Sequence, residues 1–317
     1  MKAVVFKEVG KPIFYGDFDD PKLDDNQVLV DVQSAALNHR DVWITKGLYG
    51  IIEPNIVQGS CGAGVSNGRE VIINPNVNWG DNPAYPDHKT YRILGMPVHG
   101  TFAEKIAVNK DRLIDKPAHL SMIEAGALPL AGLTAYRSLI TRAKASANDK
   151  ILIIGIGGGV ALMAFQFAVA LGAEVYVTSS DPEKIEKAIA LGAKGGANYK
   201  EEKWHKKLGT KVDVVIDSAG GKGFSNLLKA CNPRARIGVY GGTQGVSALN
   251  PQLLFWKEIE IYGSTMGSDL EFKEMVDFVN KYKIVPVVDT VYDLNQAAEA
   301  YQRMSDGKQF GKIVFRV

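Results

Sequence analysis

Apolar and polar positions alternate along the first third of the chain. Met1–Leu23, "MKAVVFKEVGKPIFYGDFDDPKL", opens with strand-like alternation and lacks the long apolar core of a signal peptide. "QVLVDVQSAAL", "REVIINP" and "GTFAEKIAV" are also strand-like, and turns and glycines separate them. Little helical period occurs before about residue 120. The rhythm then changes. "ILIIGIGGGVALMAFQFAVALGAEVYVTSSD", Ile151–Asp181, is almost uninterrupted apolar sequence up to Glu174. Its length alone is compatible with a membrane span of about 20 residues. Its punctuation argues otherwise. Ile151–Ile154 favours a strand. Gly155, Gly157, Gly158 and Gly159 then crowd together, too many for one continuous helix at about 1 kcal/mol each. Val160–Leu171 are helix formers, Gly172 stands where a C-cap glycine belongs, and Val175–Thr178 reads as a second strand. The pattern predicts strand, turn, helix, strand, with a central parallel strand and its helix buried on most faces.

The turn carries chemistry. Glycines there let backbone N–H groups approach a pyrophosphate, and the helix N-terminus adds partial positive charge. The usual dinucleotide spacing is G-x-G-x-x-G. Here it is Gly155-x-x-Gly158-x-x-Ala161, one residue longer, with Ala161 small enough for the helix to pack on the strand. A tight strand–helix turn without ligand is the alternative. Further strands follow at βα spacing: Gly196–Tyr199, Val212–Ser218 and Arg236–Gly242. Helices are expected between them at Pro182–Gly192 and Lys222–Cys231. That alternation implies an open, mostly parallel sheet. From about Glu258 the chain returns to a strand, "IEIYGS", two helices and a final strand, "GKIVFRV". A nucleotide domain at 122–257 is therefore expected to interrupt a β-rich domain made of 1–121 and 258–317. The cleft between two such domains is where substrate would meet cofactor.

Charge and cysteine content narrow the classes. The formal charge is +2, and the one basic run, "KWHKK" at Lys203–Lys207, is short enough to be a solvated face. No basic stripe points to nucleic acid or an anionic membrane. Cys61 and Cys231 are too few for a disulfide framework or a four-cysteine zinc site. Their scarcity fits a reducing compartment, and a cytoplasmic protein is the expectation.

Several segments together resemble the medium-chain dehydrogenase/reductase superfamily, and within it the zinc-free quinone oxidoreductase and enone reductase branch. They are "AALNHRDVWITKGLYG" (Ala35–Gly50), "QGSCGAGV" (Gln58–Val65), "GTFAEKIAV" (Gly100–Val108) and "GALPLAGLTAYRSL" (Gly126–Leu139). The glycine turn, "LLFWKEIEIYGSTMGS" (Leu253–Ser268) and "FGKIVFRV" (Phe310–Val317) complete the set. The resemblance implies an α/β fold: a Rossmann-type doubly wound parallel sheet inserted in a GroES-like β-rich domain, as a homodimer. It also shows what is missing. Asn38 stands where zinc relatives have a cysteine, Ser60 where they have a histidine, and Cys61 where they often have glutamate. Amide and hydroxyl are poor zinc ligands. Asn74–Gly100 lies where zinc relatives carry a structural four-cysteine site, and it has no cysteine. His88 and His99 there read as loop residues. The segment is long for a structureless connection, and is expected to pack as a lobe or guard the cleft. "VSNGREV", Val65–Val71, is shorter than the family's usual strand–loop–strand.

Without zinc, alcohol oxidation loses a Lewis acid that stabilises alkoxide. Reduction of an electron-poor alkene or quinone needs only hydrogen-bond donors where charge builds on oxygen. By resemblance those donors are Asn38 and Tyr49. The plainer alternatives are a turn residue bonded to backbone for Asn38 and a packed aromatic for Tyr49. His39 and Arg40 can touch pyrophosphate or substrate, or serve structure. Asp41 reads as an orienting partner and Cys61 as a small buried packing residue.

The resemblance also implies a dinucleotide held by Asn38, Thr134, Gly155, Gly158, Gly159, Val160, Ser179, Ser180, Lys184, Tyr199, Gly241, Gly242 and Lys312. NAD enzymes of this topology end the second strand with an acid that bonds the ribose 2′-hydroxyl. Ser179 holds that position, so NADPH is the expected cofactor, with Ser180, Lys184 and Tyr199 beside its 2′-phosphate. Asp181 is the competitor: turned inward, it would supply the missing acid. The leading expectation is an NADPH-dependent reductase of quinones or α,β-unsaturated carbonyls, acting on a small molecule with neither nucleic acid, membrane nor metal. A metal-independent or atypical alcohol dehydrogenase and a non-catalytic NADPH-binding protein are the alternatives.

Overall fold

The computed structural model describes residues 1–317. The chain divides into two compact units, Gly132–Gly267 and Met1–Ala131 joined with Ser268–Val317.

The central unit is built on six parallel strands. Their spatial order is Gly195–Asn198, Glu174–Ser179, Lys150–Ile153, Val212–Asp217, Cys231–Val239 and Glu260–Gly263. By position in the chain that order is 3-2-1-4-5-6, the doubly wound arrangement that binds dinucleotides. The apolar run of the sequence is the first strand and the helix Gly159–Ala170, whose Ala161, Leu162, Met163, Ala164, Phe165, Phe167 and Ala168 are all buried. Gly172 ends it at φ +86°, as a C-cap glycine does. No helix of the protein is long and apolar enough to cross a membrane. One element differs from expectation. The helix expected at Lys222–Cys231 spans only Phe224–Ala230, and the next strand begins at Cys231 rather than Arg236. Pro233 drives Asn232 out of the helical region, so the chain extends early.

The other unit is β-rich. Strand Gln27–Ala36 pairs on one side with Cys61–Ser66 and on the other with Lys105–Asn109 and Lys312–Arg316. The C-terminal strand also pairs with Val288–Asp293, so strands from both segments of this unit share one sheet, while the first strand, Lys2–Phe6, belongs to a smaller one. Phe102 and Phe315 meet edge to face, 4.8 Å apart, in a core with Val4, Val30, Leu37, Ile73 and Ile313. The shortened "VSNGREV" is a tight hairpin: Asn67 and Gly68 both have positive φ, as the two central residues of a type I′ turn require. Within Asn74–Gly100, strands Asn76–Val77, Arg92–Leu94 and Pro97–Val98 form a small sheet of their own, capped by an edge-to-face contact of Trp79 and Tyr91. The segment therefore packs as a lobe.

Asp289 ties the last strands to the following helix. Its carboxylate accepts both Nε (2.6 Å) and Nη2 (3.1 Å) of Arg303 and the Phe310 N–H (2.8 Å). Burial pushes this carboxyl up, but the guanidinium, the Phe310 N–H and the Thr290 hydroxyl together hold it below the ordinary carboxylate range. A carboxylate with a depressed native pKa adds stability above its unfolded value of about 3.9, and that gain fades as pH falls through the native value. Asp289→Asn should cost about 1–3 kcal/mol at neutral pH. The gap between variant and wild type should narrow as urea unfolding is repeated below pH ~4. An equal loss at pH 3 would mean that the charge is not its source.

Candidate active site

Sheet register assembles the first group of residues. Ala36 pairs with Cys61 on one side and with Val314 on the other. Two residues beyond Ala36, Asn38 therefore lies between Ser60–Cys61 and the start of the last strand at Lys312. Asn38 is extended, and the helix His39–Thr45 starts immediately after it. The Lys312 ammonium donates to the Leu37 carbonyl (2.7 Å) and to Oδ1 of Asn38 (2.6 Å). Lysine has no acceptor, so the amide atom that faces it must be oxygen. The Asn38 amino group then faces the Ala36 carbonyl (3.2 Å), Ser60 Oγ (3.2 Å) and Cys61 Sγ (3.3 Å). Cys61 Sγ also accepts the Leu130 N–H at 3.2 Å. Asn38, Ser60, Cys61 and Lys312 are all buried. Burial lowers the pKa of Lys312, and the Cys61 sulfur and Asp41 carboxylate counter that shift.

The neighbouring residues divide into structure and surface. Asp41 Oδ2 accepts the Asn38 N–H at 2.8 Å, which fixes the start of the helix. Its other oxygen has no hydrogen-bond partner, and burial pushes the carboxyl up. Arg40 serves structure: it is buried and donates to the carbonyls of Leu94 (2.8 Å) and Met96 (3.2 Å). It also donates to the Tyr49 hydroxyl at 3.2 Å and stacks 4.8 Å from that ring. Tyr49 thus accepts from Arg40 and keeps its own hydroxyl hydrogen. His39 is exposed, beside Trp43. His99 Nδ1 accepts the Val57 N–H (3.2 Å) with its ring against Phe18, and His88 lies on the surface.

The second group belongs to the central unit. Gly155 has φ +71° and Gly157 φ +122°, which only glycine adopts readily. A Cβ added at Gly155 or Gly158 would meet nothing within 4 Å, so the turn is open above its backbone. Gly158 caps the helix without a side-chain bond, and Gly159 and Val160 are its first residues. Their N–H groups belong to the first turn, which has no partner inside the helix. Thr178, which sequence reasoning passed over, holds the turn: its hydroxyl accepts the Gly155 N–H (3.2 Å) and its carbonyl the Ile156 N–H (2.8 Å). A threonine near the end of the strand beside a glycine turn is the signal that could have revealed it.

Ser179 ends the second strand, and its Oγ accepts the Asp181 N–H at 3.1 Å. Asp181 turns its carboxylate onto the Glu183 N–H (3.0 Å) and so caps the helix Pro182–Ala190, in which Lys184 sits. The Tyr199 N–H reaches the Ser179 carbonyl at 3.2 Å, and the Tyr199 ring is exposed. Ser180 accepts from Asn198 Nδ2 at 3.3 Å. Ser179, Ser180, Lys184 and Tyr199 therefore share one end of the sheet. Gly241 and Gly242 follow the fifth strand; a Cβ at Gly241 would stand 3.0 Å from the Ser218 carbonyl, and Gly242 is open. Asp217, buried and not foreseen, accepts from the Ala219 and Gly220 N–H groups at that same end. Thr134 is buried with its hydroxyl 3.8 Å from Met266 Sδ.

Residues 24–118 match the family model of the alcohol dehydrogenase GroES-like domain, and residues 159–281 that of the zinc-binding dehydrogenases. A zinc-type alcohol dehydrogenase-like protein of Leptosphaeria maculans is 35% identical over 92% of this chain and 91% of its own. The chain belongs to the medium-chain dehydrogenase/reductase superfamily. It is an oxidoreductase. The crystal structure of an NAD-dependent alcohol dehydrogenase matches with TM-score 0.93 at 33% identity, covering 100% of both chains. That of the quinone oxidoreductase from Thermus thermophilus, also solved with NADPH, matches at 0.84 and 28%, again over 100% of both.

The zinc that the name of the second family model implies does not fit this member. Asn38 turns amide hydrogens toward Ser60 and Cys61, and the Lys312 ammonium occupies the side of its oxygen. A dication among these groups would meet N–H hydrogens and a like charge. No three His, Cys, Asp or Glu side chains are grouped to hold a metal ion. A dinucleotide does fit the central unit: the open glycine turn leads into an uncapped helix N-terminus of the kind that receives a pyrophosphate.

Proposed function

We propose that this superfamily member reduces quinones or α,β-unsaturated carbonyls with NADPH and without a metal. The observation that supports this reading is the donor set in the β-rich unit. Where zinc relatives offer ligands to a cation, this chain presents hydrogen-bond donors: the Asn38 amide, the Lys312 ammonium and the Tyr49 hydroxyl. Donors suit an oxygen that gains negative charge. A bound reduced nicotinamide supplies the hydride. Tyr49, oriented by Arg40, gives its free hydrogen to the substrate carbonyl. Asn38 holds Ser60 and Cys61 in place beside it.

For the cofactor, Ser179 is neutral where NAD enzymes place an acid, and Asp181 is spent as a helix cap. Gly155, Gly158, Gly159 and Val160 would hold the pyrophosphate. Ser179, Ser180, Lys184 and Tyr199 would surround the 2′-phosphate. Thr134, Gly241 and Gly242 would line the nicotinamide end. The names of its relatives favour a second reading, alcohol oxidation. A panel decides: NADPH and NADH with quinones and enones, and both oxidised cofactors with alcohols, each with and without chelator. We expect turnover of quinones or enones that chelator leaves unchanged. Chelator-sensitive oxidation of alcohols alone would replace this reading with the second.

We also propose a homodimer. The strand Glu260–Gly263 is the edge of the parallel sheet, and Ile261 on it, with Phe255 and Trp256 just before, is exposed. An uncovered apolar edge invites pairing. Light scattering at micromolar concentration should give twice the chain mass, and a monomer would reject the proposal.

A further inference from the structure

The zinc-binding family model and the residues of this chain disagree, and the disagreement has a positive content. Around Asn38 stands a buried cation that belongs to the protein. Lys312 is 3% exposed, and its ammonium makes two hydrogen bonds, both to carbonyl oxygens. Neither partner carries a charge. The acid that acts on it through space, Asp41, directs one oxygen to the Asn38 N–H and the other toward Arg40 Nη1 at 3.8 Å, and makes no hydrogen bond to Lys312. The ammonium is therefore hydrogen-bonded by dipoles alone, while the Asp41 carboxylate acts on it only through space, and its field is felt strongly in a medium of low polarity.

The same ammonium, together with the Ala36 carbonyl that accepts from the amino group, decides which way Asn38 points. An asparagine amide can rotate by half a turn with little change in shape. Beside a group that only donates, one orientation survives. That orientation aims the amino group at Ser60 and Cys61, so a charge at one end sets the polarity of the whole row. We propose that Lys312 is a positioning residue: its buried ammonium locks the Asn38 amide with its donors toward Ser60 and Cys61, and supplies the fixed positive charge that zinc relatives obtain from the metal. Its kinetic consequence rests on the reductase reading above. Its structural part does not.

Two measurements separate the parts. The first needs no substrate: the side-chain amide resonances of Asn38 in wild-type protein, Lys312→Met and Lys312→Arg. In wild type the two amide hydrogens should be sharp and slow to exchange. In Lys312→Met they should shift and exchange at least tenfold faster, while in Lys312→Arg, which keeps a cationic donor, they should stay close to wild type. Unchanged Asn38 signals in Lys312→Met would overturn the proposal. So would an Nζ shift of Lys312 that reports a neutral amine at pH 7.

The second measurement is kinetic, with NADPH and a series of ring-substituted aryl enones. Lys312→Met should lower kcat by about 10- to 100-fold, with KM for NADPH within threefold and Lys312→Arg within tenfold of wild type. Rate should also depend more steeply on electron withdrawal by the substituent, because the substrate must then carry more of the developing charge unaided. A merely structural lysine would lower all rates in proportion and leave that slope alone. A raised KM for NADPH at constant kcat would make Lys312 a cofactor contact and overturn the proposal. If wild type reduces neither enones nor quinones, the reductase reading fails, and the resonances alone decide whether Lys312 holds Asn38. Should Lys312→Met fail to fold, Lys312→Arg decides: a loss of more than tenfold in kcat there, or Asn38 signals unlike wild type, would overturn it.

Discussion

Asn38→Ala and Tyr49→Phe should each lower kcat for a conjugated carbonyl by about 10- to 1000-fold, the range seen when a donor to a developing oxyanion is removed. Asn38 is expected to have the larger effect. Its loss strips Lys312 of one of two acceptors and Ser60 and Cys61 of a common donor, so the defect spreads to three buried side chains. Tyr49→Phe removes a single hydroxyl. It leaves Arg40 bonded to the Leu94 and Met96 carbonyls, so the fold around it should persist. His39→Ala is the comparison: the residue is exposed as a whole, but burial and the Lys312 charge lower the pKa of its ring, so a loss smaller than in either donor variant is expected. Steady-state kinetics on the three variants checks the order. Unchanged rates in both Asn38→Ala and Tyr49→Phe would mean that other groups, or water, polarise the substrate.

Ser179→Asp should erase or invert the cofactor preference. Wild type is expected to favour NADPH over NADH by at least tenfold in kcat/KM, about 1.4 kcal/mol. The introduced carboxylate would bond a ribose 2′-hydroxyl and repel a 2′-phosphate. It would also stand two residues from Asp181, whose carboxylate is engaged with the Glu183 N–H, so the new charge would act without displacing the cap. No arginine is present between Val177 and Tyr199, and the phosphate would depend on Lys184 and hydroxyl groups, a weaker clamp than a bidentate one. Hence a preference nearer tenfold than thousandfold is expected. A wild-type preference for NADH would show that Asp181 leaves its cap to read the ribose.

The parallel sheet was legible because its signals are local. An apolar strand, a glycine cluster, a run of helix formers and a capping glycine lie within about thirty consecutive residues. Each has its own physical cause in propensity or backbone freedom. The end of the helix at Ala230 was less legible, because the apolar pattern runs on to Cys231 and only the proline beyond it breaks the helix. Thr178 and Asp217 went unseen for another reason. A polar residue closing a strand looks the same whether it faces solvent or ties down a neighbouring turn.

By itself, then, the sequence determined that a doubly wound sheet interrupts a β-rich unit, that the glycine turn is spaced for a helix N-terminus, and that amide and hydroxyl stand where ligands would. The alternation of strands and helices and the glycine turn follow from residue identity and short-range period; the doubly wound order and the missing ligands follow from the resemblance to the superfamily. Tertiary structure alone decided what those residues do. Lys312 meets Asn38 across 274 positions because the last strand pairs with Gln27–Ala36 in one register. Arg40 became a brace for the Leu94–Met96 turn, and Asp181 the cap of the helix Pro182–Ala190. The physical reason is that a side chain's partners are set by the register and packing of distant segments, and no window along the chain contains them.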